Sequence, residues 1–200
     1  MTTSWGDRPS PVDDDDRVER FRRLYETNHG PIDGYCRRRL SPEAAAEAIS
    51  EVFLVAWRRL DEVPDGLGTR PWLFGVARNV VANQSRADRS RRRLEERLTI
   101  LPGHGHAVVA TAGADEQSVD AVLAALQRLD EPDRELLRLV AWEGLPMAEV
   151  AAVLDCTVNA ATIRLHRARR RLGDALDAEG VAHEHTRRAI NLSDEQDPTP

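Results

Sequence analysis

The 200-residue chain has no lysine: all 28 of its basic residues other than histidine are arginine. Codon bias toward Arg, Ala and Val in a GC-rich genome accounts for this without any functional pressure. Arginine's planar fork nonetheless suits phosphate and base-edge contacts. Cysteine is scarce as well. Cys36 and Cys156 lie far apart and form no CxxC, which argues against a disulfide framework and against a zinc site. No run reaches the length and apolarity of a membrane span, and the first residues lack the apolar core of a signal peptide. A soluble protein of a reducing cytoplasm is expected, with no membrane insertion. Also missing are a convincing alternating strand, an internal repeat, a phosphate-binding glycine loop, a nucleophile elbow and a metal cluster. His104 and His106 have no third ligand nearby and read as linker histidines. The expectation is therefore no enzyme, no catalytic residue, no metal and no cofactor.

What is present is helical periodicity and a strong segregation of charge. The formal net charge of −6 does not suggest a nucleic-acid binder, but the average conceals the pattern. Acid collects at Asp13 to Asp16 and in the tail after Arg171. Arginine collects at Arg86 to Arg97 and at Arg164 to Arg171. Local fields steer partners, so the two clusters outweigh the sum.

The fold expected is all-α, with two small helical domains joined by a flexible linker. Residues 1–16 are polar, rich in Pro and Asp, and expected to be disordered. A first helical domain covers 17–97. Within it, "SPEAAAEAISEVFLVAWRRL" begins with Ser41 as N-cap and Pro42 at the first helical position. Its apolar stripe is Ala45, Ala48/Ile49, Val52/Phe53, Ala56/Trp57 and Leu60. "DEVPDGLGTR" (61–70) breaks the pattern as a loop, and Pro71 starts the next helix. Residues 98–118, rich in Gly and Ala, form the linker. A second domain covers 119–176, and 177–200 is an acidic disordered tail.

The basic run "TVNAATIRLHRARRRL" (157–172) carries the functional signal. On a helical wheel Val158, Ala161, Leu165, Ala168, Leu172 and Leu176 fall in one arc that must pack on something. Asn159, Ile163, Arg167 and Arg170 point the opposite way, with His166 at the edge. An isoleucine exposed among cations is unremarkable by itself, but in a major groove it can touch a thymine methyl. Before it stands the short helix of "EGLPMAEVAAVLD", with Met147, Val150, Ala151 and Leu154 apolar, then the tight turn "DCT". Upstream, "EPDRELLRLVAWEG" adds Leu136, Leu137, Val140 and Ala141 to a small core. Short helix, three-residue turn and basic helix make a helix-turn-helix. The bland alternative is a solvated basic helix in an unrelated helical domain.

The helix from Pro71 has a core stripe of Leu73, Val76, Ala77 and Val80. Along one flank run Trp72, Asn79, Asn83 and Arg86. An aromatic ring, two amides and a cation can stack on and hydrogen-bond unpaired bases. They can equally be a half-buried Trp beside ordinary surface amides.

These motifs carry a resemblance. "EVFLVAWRRLDEVPDGLGTRPWLFGVARNVVANQSR" resembles region 2 of the extracytoplasmic-function (ECF) group of bacterial sigma factors, of the sigma-70 family. "LDEPDRELLRLVAWEGLPMAEVAAVLDCTVNAATIRLHRARRRL" resembles their region 4. The all-arginine composition resembles actinobacterial members. The resemblance implies a protein that binds core RNA polymerase and promoter DNA and directs transcription initiation, with an anti-sigma factor as a further partner. It implies minus-ten binding through Trp72, Asn79, Asn83 and Arg86, with loop 61–70 accepting a flipped base. It implies minus-thirty-five binding through Asn159, Thr162, Ile163, His166, Arg167 and Arg170, and polymerase docking through Glu47, Glu51, Val52, Phe53 and Trp57. Two features depart from the family pattern. The docking helix is poorer in acid, and Asp155 stands in the turn where relatives usually have Gly; Asp tolerates the left-handed conformation at some cost. The competing reading is a helix-turn-helix regulator that binds duplex DNA without docking on polymerase.

Overall fold

Ser41 has an extended backbone (φ −62°, ψ 159°), and its hydroxyl accepts a 3.4 Å hydrogen bond from the Ala44 amide. Pro42 follows, where the missing N–H costs nothing, and a helix runs from there to Arg58. The computed structural model describes residues 11–98 and 116–178 of the chain, with side chains over 14–87 and 122–178. Among the described residues the secondary structure is helical, with no strand. Contacts divide the chain into two units, 1–107 and 108–200.

The first unit holds α1 (Pro11–Arg37), α2 (Pro42–Arg58) and α3 (Thr69–Leu98), each packed on the other two. The 3/4 spacing of α2 buries Ala45, Ala48, Ile49, Val52, Phe53 and Ala56. They meet Leu24, Ile32 and Tyr35 from α1 and Leu73, Phe74, Ala77 and Val80 from α3, all in the core. Tyr35 and Phe74 pack edge to face at 5.5 Å.

Three boundaries differ from expectation. Helix α1 begins at Pro11 and so takes in 11–16, the part of the acidic start expected to be disordered. Proline is at home in a first turn, and the aspartates that follow complement the positive end of the helix dipole. Helix α3 begins at Thr69, two residues before Pro71, because the first-turn amides need no acceptor within the helix. The expected loop 61–70 contains two single 3₁₀ turns, Leu60–Glu62 and Gly66–Gly68.

The second unit holds α4 (Glu116–Arg128), α5 (Glu131–Ala141), α6 (Met147–Val153) and α7 (Val158–Ala178). Helix α7 packs against the other three. Asp130 caps α5, its Oδ1 accepting from the Asp133 amide at 2.9 Å. Arg134 closes the end of α4, donating to the carbonyls of Leu126, Gln127 and Leu129 at 3.0, 3.3 and 2.7 Å. They lie in the last turn of α4 and just beyond it, where carbonyls lack the full set of intrahelical partners.

The core of this unit is Leu126, Leu136, Leu137, Leu139, Leu145, Val150, Ala161, Leu165, Ala168, Leu172 and Leu176. Of the expected core residues, Val140, Met147 and Leu154 are half-buried, and two are exposed. Ala141 is exposed, because α5 ends there and Leu139 supplies the inward side chain. Val158 is 49% exposed: it is the first residue of α7 and projects beyond the core at the turn. Of the expected linker (98–118), Leu98 ends α3 and 116–118 open α4, and the first two residues of the expected tail (177–200) close α7. Residues 99–115, with His104 and His106, the first ten residues and the tail from 179 onward lie outside the described residues. So do the side chains of the Arg89–Arg97 cluster.

Candidate nucleic-acid interface

Helices α6 and α7 are joined by residues 154–157, one residue more than the turn read from sequence. Asp155 turns the chain there with φ +50°, the left-handed conformation that glycine adopts freely and Asp at modest cost. Its amide donates to the Ala152 carbonyl and that of Cys156 to the Ala151 carbonyl, at 3.3 and 3.0 Å. Thr157 then caps α7, its Oγ1 accepting from the Ala160 amide at 3.2 Å. The turn aims the start of α7 outward.

Asn159, Thr162, Ile163, His166, Arg167 and Arg170 are all exposed on α7, as expected. The structure separates the arginines in a way that their spacing does not announce. Arg171 leaves the outward face and hydrogen-bonds the largely buried carboxylate of Asp133 on α5. This bond, joined by the Asp133 charge, holds its guanidinium ionised above its ordinary value. Arg164, Arg167 and Arg170 make no ion pair or hydrogen bond among the described residues. Among the described residues of this unit they are open to an external anion.

In the first unit, Trp72, Asn79, Asn83 and Arg86 share one stripe of α3, spanning about 21 Å at ~1.5 Å per residue. Trp72 is half-buried, with the Arg59 guanidinium 5.7 Å from its ring centroid. Arg59 also donates through Nε to Glu62 at 3.1 Å, which lowers the Glu62 carboxyl below its ordinary value. Asn79 is exposed and has no hydrogen-bond partner among the described residues. Asn83 is engaged, its Oδ1 accepting from Arg86 Nη2 at 2.8 Å, while Arg86 Nε donates to the Ala82 carbonyl at 3.2 Å. Arg86 therefore lies back on its own helix.

The loop beside Trp72 is held from α1. Arg17 donates to both carboxylate oxygens of Asp61, at 3.0 and 2.9 Å, and to the Trp57 carbonyl at 2.8 Å. Arg20 donates to the carbonyls of Leu60 and Val63, at 2.9 and 2.8 Å, and to Asp65 at 2.9 Å. These partners are 40 to 45 residues apart, so sequence spacing holds no signal for them. At the loop tip, Gly66 has φ +62° and Leu67 is 90% exposed. The Thr69 hydroxyl donates to the Pro64 carbonyl at 2.6 Å.

On α2 the expected docking residues divide. Glu47 and Glu51 are exposed, with no partner among the described residues. Val52 and Phe53, which the resemblance also names, are buried core residues on the inward stripe of the helix. Trp57 is half-buried, packed edge to face on Phe21 at 5.2 Å with Arg17 5.3 Å from its ring. Leu54, 45% exposed on the same side as Glu47 and Glu51, went unnoticed because it falls outside the apolar stripe.

A helix-turn-helix with outward arginines and a second helical unit with outward amides define a DNA-binding protein of the all-α class. Residues 24–92 match sigma-70 region 2, and residues 120–172 match sigma-70 region 4. The chain is 31% identical over 140 residues to the RNA polymerase sigma factor CnrH of Cupriavidus metallidurans, covering 66% of this chain and 73% of that one. It is 30% identical over 175 residues to the ECF RNA polymerase sigma factor SigL of Mycobacterium tuberculosis, covering 80% and 91%. Its structure is similar to CnrH in complex with the cytosolic domain of CnrY, with a TM-score of 0.57 and 25% identity over 79% of this chain and 88% of that one. The fold is also shared with the sigma factor RpoE of Bartonella quintana, solved with the anti-sigma factor NepR: TM-score 0.60, 22% identity, 78% and 96% covered.

The chain belongs to the ECF sigma factors of the sigma-70 family. It binds core RNA polymerase and directs promoter-specific transcription initiation, so the reading as a regulator without polymerase docking is set aside. Sigma factors are initiation factors and not catalysts. No helix among the described residues is long and apolar enough to cross a membrane.

Proposed function

We propose that residues 119–176 read the minus-thirty-five element as duplex, through Asn159, Thr162, Ile163, His166, Arg167 and Arg170. Residues 17–97 grip the separated strands of the minus-ten element through Trp72, Asn79, Asn83 and Arg86, with loop 61–70 receiving an unstacked base. Glu47 and Glu51, flanked by Leu54, form the polymerase-docking face, while Val52 and Phe53 support it from beneath. An anti-sigma factor covers part of these surfaces in the resting cytoplasm. That partner is proposed from CnrH and RpoE, whose solved complexes hold CnrY and NepR. We assign the chain to the actinobacterial type on its lysine-free composition.

The observation that carries the reading is the division of the α7 arginines. Arg171 is neutralised by Asp133, whereas Arg164, Arg167 and Arg170 face outward without partners among the described residues. An anion such as the DNA backbone is what this face lacks. The test is holoenzyme binding to a panel of promoters with single base-pair changes. Arg167→Ala weakens binding by ~1–3 kcal/mol and relaxes specificity at one minus-thirty-five position if Arg167 reads a base edge. Unchanged affinity across the panel contradicts the role given to Arg167.

A further inference from the structure

The start of α7 is apolar where a basic recognition helix has least need of it. Val158 and Ile163 are 49% and 44% exposed. Between them Thr162 donates its hydroxyl to the Val158 carbonyl at 2.9 Å. That bond turns the hydroxyl toward its own helix and leaves the methyl group as the outward part of the side chain. At 100° per residue, Val158, Thr162 and Ile163 spread over about 140°, from the edge of the packing arc round to the outward face, with Asn159 among them. No guanidinium interrupts this surface before Arg164, and no acid occurs in α7 before Asp174.

Hydrocarbon on an exposed helix end costs the free protein solvation free energy. Among the described residues nothing covers it: Val158 projects past the core, and Ile163 points away from it. The surrounding charge selects the class of occupant. Arg164, Arg167 and Arg170 lie beyond the patch without acidic partners among the described residues, which fits a polyanion and disfavours an ordinary apolar peptide. On duplex DNA, the hydrocarbon of the major-groove edge is the thymine 5-methyl group. The amide of Asn159 matches the N6/N7 edge of adenine, the base paired with it.

We propose that Val158, Thr162 and Ile163 are specificity-determining residues that recognise thymine methyl groups in the minus-thirty-five element, with Asn159 reading an adjacent adenine. The first two turns of α7 thereby select A·T pairs, and the arginines beyond them supply phosphate and guanine contacts. This rests on the proposed duplex reading by α7 and extends it to a class of base pair.

The test begins with holoenzyme assembled from the full chain and core polymerase. It selects from duplexes with a fixed minus-ten element and a randomised minus-thirty-five segment. Each thymine of the winning sequence is then replaced by deoxyuridine, which removes only the methyl. At one or more positions the loss is about fourfold in affinity, the worth of one buried methyl group. That loss disappears in Val158→Ala or Ile163→Ala, which bind the thymine and uracil duplexes alike. Both side chains are exposed, and unchanged thermal unfolding of the variants verifies that the fold is retained. The proposal is overturned if selected segments lack A·T pairs, if uracil is tolerated everywhere, or if the uracil penalty persists in both variants. In those cases the holoenzyme still selects and initiates, so the functional reading stands. Selection of no sequence at all removes both.

Discussion

Arg20 on α1 donates to the Val63 carbonyl at 2.8 Å, across 43 residues of chain. With its bonds to the Leu60 carbonyl and Asp65, this ties the loop before α3 to a helix that contributes no residue to the Trp72–Asn79 stripe. The loop tip carries a left-handed Gly66 and an almost fully exposed Leu67, and these bonds add to the Thr69–Pro64 bond and the two 3₁₀ turns that shape it. A base-accepting loop fixed before the base arrives avoids the ordering cost at the moment of capture.

Arg20→Ala therefore lowers stability modestly, by about 1–2 kcal/mol, because the guanidinium is only partly buried and water replaces some of its bonds. Its larger effect is on strand opening, read as permanganate reactivity of minus-ten thymines, while binding to a minus-thirty-five duplex is unchanged. Arg20→Lys restores part of the opening. Equal loss in both assays contradicts a positioning role.

Asn79 and Trp72 act on unpaired bases in this account. Trp72→Ala costs ~1–3 kcal/mol in affinity for a fork-junction template with a single-stranded minus-ten segment, as expected for one lost stacking contact. Asn79→Ala is weaker on the same template and indifferent on fully duplex DNA. Fluorescence anisotropy on the two templates gives the comparison. A loss of duplex binding in Asn79→Ala counts against single-strand recognition.

On α2, charge reversal and core deletion have different signatures. Glu47→Arg with Glu51→Arg leaves denaturant unfolding nearly unchanged, since both side chains are exposed and have no partner among the described residues, yet weakens capture of core polymerase. Phe53→Ala lowers folding stability by ~3–5 kcal/mol through the cavity it leaves. A stable Phe53→Ala protein that has lost polymerase contradicts its assignment to the core.

Asp155 occupies the left-handed region at φ +50°. Asp155→Gly relieves up to ~1 kcal/mol of that strain, offset in part by the greater freedom glycine has when unfolded. A small rise in melting temperature with unaltered promoter choice is expected. A marked fall shows that the Asp155 side chain contributes more than the backbone cost it imposes.

Much of this was legible in the sequence because helices announce themselves locally. The Ser41–Pro42 start, the inward stripe of α2 and the outward Asn159, Ile163 and Arg167 all follow from periodicity and capping, which need only nearby residues. The same periodicity misleads where it says nothing of ends: Val158 lies in the core arc but beyond the core. The tethers from Arg17 and Arg20, and the capture of Arg171 by Asp133, join positions tens of residues apart. Such pairs depend on how helices pack, and no local pattern encodes them.

The most direct measurement is run-off transcription with purified core polymerase, with and without the chain, on a genomic promoter library with transcript starts mapped. The account predicts a discrete set of starts that appears only with the chain and is lost in a variant combining Asn79→Ala with Arg167→Ala. Starts that are the same in the presence and absence of the chain contradict it.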